Sequence, residues 1–302
     1  MDGMTTSAVE NVTEAATPTS GRPRPRRVDV GGAVVCGAAA LLVLLVLLAP
    51  VLAAASPTTA VGLARSAPTL AHPFGIDHLG RDVLSRTLWG GRLTLLMAAL
   101  STLLAAVVGV PIGLFAGYVG GIRGGISMRV MDVLLAFPGL LLALIIITIG
   151  GTGVPSTILA VGVSFIPVFA RVVYGSTQRI RSEEYIAASI VVGASPLRVM
   201  MRNVLPVVLV EVVVLVSSAI GWTTLLTAAL NFLGFGVAPP TPEWGADLGA
   251  GTQYLDQAWW ISAAPGLAIT LTILIANFLG DFFAKRLSAP RADLQPSTEP
   301  VA

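Results

Sequence analysis

Charge is the scarcest commodity in this chain. Only 11% of its 302 residues are Asp, Glu, Lys or Arg, while 55% are hydrophobic. Soluble domains carry roughly 25% charged residues, so these proportions, with a mean hydropathy of +0.85, identify an integral membrane protein. The net charge is only +2 and its basic residues are scattered, which gives nucleic-acid binding no support. A single cysteine, Cys36, excludes an internal disulfide. Two histidines, His72 and His78, with no Cys/His cluster, argue against a metal site. No catalytic constellation and no cofactor is expected. Lysine is nearly missing: Lys285 is the sole one among 18 basic residues. A phosphate-binding P-loop needs a Lys followed by Ser or Thr after a Gly-rich turn, and Lys285 is followed by Arg286. ATP-driven work must therefore come from another polypeptide.

What the chain has instead is long apolar runs. Residues 1–27 are rich in Thr, Ser, Pro and Glu, end in Arg22, Arg24, Arg26 and Arg27, and are expected to be disordered. An apolar run from Gly31 to Ala55 follows. Ala53–Ala55 mimics a signal-peptide cleavage site, but the run is longer than a signal-peptide core and reads as a retained spanning helix. Five more spans are predicted, near 93–117, 129–150, 154–176, 206–230 and 260–283. Gly151-Thr152-Gly153 is a tight turn between two of them, and Pro111 and Pro167 are candidate kinks. With the N-terminus inside, only Arg65, Arg81, Arg86 and Arg92 lie outside, and every other basic residue lies on the cytoplasmic side. That satisfies the positive-inside rule and returns the C-terminus to the cytoplasm. The expected organisation is a cytoplasmic tail (1–28), a first helix with an extracytoplasmic segment (29–91), a five-helix core (92–284) and a C-terminal cytoplasmic tail (285–302).

The segment from Glu183 to Pro206 is the most informative. It is polar and basic, and it lies between two apolar runs on the cytoplasmic side. Glu183, Glu184, Tyr185, Ala187, Ala188 and Ser189 suit a helix with an acidic start. Gly193 ends it, and after Ala194 the pair Ser195-Pro196 starts a second one, with Arg198 and Arg202 on one face. Leu205-Pro206 then closes the loop and opens the next span. The predicted product is a helix–Gly–helix elbow. An amphipathic connector lying on lipid headgroups is the rival reading.

This segment resembles the EAA loop of ABC importer permeases, a Glu-Ala-Ala pattern followed by Gly and, further on, by Leu-Pro. Alignment on Gly193 and Leu205-Pro206 places Ala187, Ala188 and Ser189 at the Glu-Ala-Ala positions. Ala187 replaces the family glutamate, with Glu183 and Glu184 just upstream. Phe74, Gly75, Asp77, Gly80, Arg81 and Asp82 lie in a stretch similar to the extracytoplasmic signature of C-type dipeptide/oligopeptide permeases. Asn231 to Gly245 and Trp260 to Asp281 resemble two further segments of that subfamily, and the resemblance covers roughly residues 30–285. It implies an all-α type I permease fold of six transmembrane helices in the bacterial cytoplasmic membrane. It also implies four kinds of partner: membrane lipid, a homologous permease subunit, two cytoplasmic ATPase subunits and an extracytoplasmic solute-binding protein. The expected activity is uptake of di- or oligopeptides by alternating access, with nickel chelates, glutathione or haem as alternative cargo. A self-sufficient channel or secondary transporter is the rival from another class.

Single residues carry weaker signals. Asp132, Glu211 and Asp281 lie near the ends of spans, where interfacial roles compete with pathway roles. Trp259 and Trp260 are expected in an aromatic belt, the glycines from Gly117 to Gly125 in a flexible turn, and Asn231 and Asn277 either between helices or along a pathway.

Overall fold

In the computed structural model, residues 30–53 and 55–288 are described. The expected N-terminal tail and most of the C-terminal one lie outside them. Among the described residues the protein is helical, without a named strand. The helices are α1 (Val30–Leu47), α2 (Ala49–Leu52), α3 (Val83–Val119), α4 (Gly121–Leu135), α5 (Gly139–Gly150), α6 (Val154–Arg181), α7 (Glu184–Val191), α8 (Pro196–Val199), α9 (Leu205–Phe232), α10 (Trp244–Gly251), α11 (Leu255–Ala258) and α12 (Trp260–Ser288). A π-helical turn, Met200–Val204, joins α8 to α9.

Four of the expected spans appear as helices long and apolar enough to cross a membrane: α3, α6, the continuous Pro196–Phe232 run, and α12. Two differ. The stretch predicted at 129–150 is α4 and α5, bent by 89°. Pro138 lies at the break; proline cannot donate to the preceding turn and disfavours helical backbone at the residue before it. The first run is also interrupted, at Leu48. Pro50 has no N–H for the Val46 carbonyl, so α1 stops at 18 residues and a single turn, α2, follows.

The centre of the fold is the seam between α3 and α6. Gly109, Gly113 and Gly117 recur every fourth residue on α3. A Cβ on each would lie 2.7, 2.3 and 2.9 Å from the Ile166, Ala170 and Tyr174 carbonyl oxygens of α6. Only glycine permits this approach, and spacing small residues at fours is how helices pack closely in lipid. A Thr102–Thr223 hydroxyl bond of 2.9 Å ties α3 to α9. The glycine cluster expected as one flexible turn is mostly helix: Gly117 belongs to α3, Gly124 and Gly125 to α4, and the turn is Gly120-Gly121, both with positive φ.

Candidate functional site

The elbow is built from one end of the bundle. α6 runs on to Arg181, and Glu183 is the extended N-cap of α7, its carbonyl accepting from Ile186 N–H at 3.0 Å. The inner face of α7 is led by Ile186, which is fully buried and belongs to one apolar cluster with Leu114 of α3, Val173 and Ile180 of α6, Val199 of α8, Val204, and Val208 and Val212 of α9. Ala194 and Leu205 pack on the edge of this cluster. Burying an isoleucine contributes roughly 1.5–3 kcal/mol, so this residue ties α7 into a cluster shared by three long helices.

The other face of α7 is open. Glu183, Glu184, Tyr185, Ala187 and Ala188 are exposed. The tip, Val191 and Val192, is 87% and 88% exposed. Gly193 has φ +89° with nothing within 4 Å of a would-be Cβ; glycine is needed there for its backbone, not for space. Gly193 N–H donates to Ile190 O at 2.9 Å and Ala194 N–H to Ser189 O at 3.1 Å, closing α7. Ser189 Oγ donates to Tyr185 O at 2.8 Å and accepts from Asn203 Nδ2 at 3.4 Å, linking α7 to the π turn. Ser195 is the extended N-cap of α8, as expected, but its hydroxyl makes no capping bond. The second helix is not separate: α8 continues through the π turn into α9. Leu205-Pro206 therefore does not close a loop. It lies inside a helical run, where Pro206 sits in the first turn of α9 and the π turn absorbs the backbone bond that proline cannot make.

The opposite end holds a second cluster. Gly75 (φ +73°) and Gly80 (φ +82°) shape a loop in which Ile76 and Asp82 form an antiparallel bridge. Asp77 is buried. Its Oδ1 accepts from the Leu79 and Arg81 N–H groups at 2.8 and 2.9 Å, and its Oδ2 accepts from Arg81 Nε at 2.6 Å. Asp82 caps α3 through Ser85 N–H at 2.7 Å, and its other oxygen meets His72 Nδ1 at 2.9 Å. Arg86, buried on α3, pairs with Asp247 of α10 and donates to the Pro57 and Pro240 carbonyls at 2.9 and 3.3 Å. Phe74 is exposed beside this loop. Burial raises the Asp247 carboxyl above the usual range, opposed by Arg86. Burial also lowers the His78 imidazole, with Asp77 opposing and Arg81 and Arg86 assisting; its ring stacks on Tyr254 at 5.2 Å.

Glu243 is the residue sequence reasoning missed. Fully buried, it caps α10 through Ala246 N–H at 2.8 Å and meets Thr94 Oγ1 of α3 at 2.7 Å. Burial pushes its carboxyl up to about 7, against the hydrogen bonds from Ala246 and Thr94. Thr94 Oγ1 also lies 3.0 Å from the Gly90 carbonyl and accepts from Trp244 N–H at 3.2 Å. When Thr94 gives its one proton to Gly90 O, only a protonated Glu243 completes the bond between them.

Other singled-out residues have local partners. Trp260 is half-buried and donates to Ile76 O at 3.3 Å, while Trp259 is exposed. Asn231 bonds the end of its own helix and the following turn, through Thr227 O and Val237 N–H, both at 2.8 Å. Asp132 pairs with Arg171, and Glu211 with Arg179 and Ser176. Asp281 is exposed on α12. Neither cluster brings together the ligands of a metal ion, and among the described residues no group of three His, Cys, Asp or Glu residues does so.

Comparison with known proteins follows the same lines. Residues 109–289 match the family model described as "Binding-protein-dependent transport system inner membrane component". The Di/tripeptide transport system permease protein DppC of Pseudomonas aeruginosa (strain UCBPP-PA14) is 40% identical over 208 residues, 69% of each chain. The Glutathione transport system permease protein GsiD of Pectobacterium atrosepticum is 41% identical over 214 residues, 71% of each. An inward-facing structure of the MetNI methionine ABC transporter superposes with a TM-score of 0.56 over 67% of this chain and 96% of that one, at 20% identity. That last likeness concerns the fold.

Proposed function

The chain belongs to the family of inner-membrane components of binding-protein-dependent transport systems, and from that premise we propose that it is the subunit through which an ATP-driven importer takes up di- and oligopeptides. The carrying observation is the elbow. α7 presents an exposed face and apolar tip, while Ile186 locks its inner face to α3, α6 and α9. A pull on α7 thus acts on three long helices at once. ATPase subunits docking on Tyr185, Ala188 and Val191–Gly193 would turn their closure into a rocking of the bundle, an alternating-access cycle of the rigid-body kind. Glu183 and Glu184 supply the acidic groups that Ala187 does not. Orientation follows the positive-inside rule, with the elbow cytoplasmic and the Asp77–Arg86 cluster outside.

The peptide cargo rests on the relatives named for di/tripeptides, and glutathione is the second reading because equally similar relatives are named for it. The test is reconstitution with a homologous permease, two ATPase subunits and the solute-binding protein. Uptake of labelled dipeptides and of glutathione is then measured against ATP hydrolysis. A cysteine at Ser189 should crosslink to an ATPase subunit. Absence of any crosslink along α7, with uptake intact, would overturn the docking role.

A further inference from the structure

Exposed faces of the long helices show a regular apolar pattern in this protein. On α12, Leu267, Leu271, Leu274 and Phe278 are exposed at positions i, i+4, i+7 and i+11; on α3, Leu96, Leu100, Leu103 and Val107 repeat the spacing. The second half of α6 breaks it. At the same spacing its exposed residues are Arg171, Gly175 and Gln178, followed by the exposed C-cap Ser182. One ion pair stands at the start of this strip and another beside it. Arg171 pairs with Asp132 of α4, the side chains 53% and 40% exposed; Arg179 pairs with Glu211 of α9, 60% and 34% exposed. Along the strip, Gln178 Nε2 donates to Tyr174 Oη at 2.9 Å. Beside Glu211 a groove of about 320 Å³ opens, lined by Val172, Val210, Glu211, Val214, Ala284 and Leu287 among others. That volume is in the range of small-molecule sites, which combine apolar walls with a few placed polar groups.

Arg171 lies about 15 Å before the end of α6 at 1.5 Å per residue. Two half-exposed charge pairs on the second half of α6 are costly against hydrocarbon and belong against water or protein. We infer that the strip Arg171–Gly175–Gln178–Ser182, with its two flanking ion pairs and the Glu211 groove, lines the inner half of the solute path and receives zwitterionic, amide-bearing solutes. The inference rests on the importer reading. Guanidinium groups at Arg171 and Arg179 meet a solute carboxylate in bidentate geometry, carboxylates at Asp132 and Glu211 meet an ammonium group, and Gln178 and Tyr174 meet backbone amides. Gly175 keeps the middle of the strip free of a side chain. Neutral pairing in the resting state prevents a fixed net charge from trapping one end of the solute.

The test uses the assembled complex in liposomes with Cys36→Ser as background. Single cysteines are placed by Gly175→Cys, Gln178→Cys and, as a lipid-facing control, Leu271→Cys. A charged, water-soluble methanethiosulfonate should modify the two α6 cysteines about tenfold faster than the control, because hydrocarbon excludes the charged reagent. Trapping with ATP and vanadate should change the α6 rates only. In a second arm, Gln178→Glu and Gln178→Arg should shift the uptake ratio of lysyl-alanine to glutamyl-alanine about tenfold in opposite directions, since the new charge favours one probe and repels the other. α6 cysteines reached only by a lipid-phase maleimide would overturn the inference, as would a strip permanently sealed against the partner permease. Uptake and ATPase activity of the unlabelled variants are read first. If no peptide probe is taken up while the cysteines still react, the cargo reading fails and the water-lined path stands; if uptake is intact and the cysteines are inert, the path assignment fails alone.

Discussion

Arg86 is the clearest case of a residue whose role depends on distant partners. It pairs with Asp247, 161 positions away, and sits 3.8 Å from Asp77. Breaking a buried pair by removing one member leaves the other charge uncompensated, at a cost of roughly 3–5 kcal/mol. Arg86→Ala should therefore lower the thermal stability of the purified protein markedly, and Arg86→Lys should restore little, since a point charge cannot serve two carboxylates and two carbonyls together. Glu243 makes a prediction in pH. Its folded-state pKa is raised to about 7 from 4.5, so the folded state holds a proton that the unfolded state has lost. Stability from this group is fully present below about pH 4.5 and is lost as pH rises toward 7, by on the order of 3 kcal/mol. Between those limits the melting temperature of the wild type should fall more steeply than that of Glu243→Gln, whose amide keeps the neutral form throughout. Parallel curves for the two proteins would show that Glu243 is ionised in the fold.

Among the elements, the α3–α6 seam and α7 make contrasting demands on glycine. At Gly113 the demand is space, with a Cβ 2.3 Å from the Ala170 carbonyl. Gly113→Leu should separate the two helices and abolish assembly, seen as loss of the monodisperse complex on size exclusion. At Gly193 the demand is backbone conformation in open surroundings. Gly193→Ala should fold, with a local cost of about 1–2 kcal/mol for a left-handed residue. Its expected defect is in coupling: uptake per ATP hydrolysed falls severalfold, while the melting temperature drops by only a few degrees. Equal losses in both measurements would assign Gly193 to stability instead. Helix breaks follow the same local logic. Pro138 and Pro50 are visible in the sequence as helix breakers, yet an apolar count reads straight through them, because hydropathy is blind to direction.

For the whole molecule, the proposed importer role predicts dependence on partners. Without a Lys suited to a P-loop, the chain alone in liposomes should neither hydrolyse ATP nor accumulate dipeptide, and both should appear when the ATPase subunits, second permease and binding protein are added. Solute flux through this polypeptide alone would favour the channel reading. The two clusters lie at opposite ends of the same long helices, joined by α3, which carries Arg86 and Thr94 near its start and Leu114 at the elbow core near its end. A rigid helix is a direct way to relate an event at one end to the other.

By itself the sequence determined the class: low charge and long apolar runs leave only a membrane helix bundle, and the helix end at Gly193 and restart at Ser195-Pro196 are legible because they are local and punctuated by Gly, Ser and Pro. Four spans were readable for the same reason. Tertiary structure decided everything set by approach between distant segments. It merged α8 into α9 through a π turn, bent α4 against α5, placed Ile186 in its buried cluster, buried Glu243 against Thr94 and paired Arg171 with Asp132 and Arg179 with Glu211. These depend on which helix faces meet, and a one-dimensional pattern of apolar residues is nearly the same whether a span faces lipid, a neighbour or a path for solute.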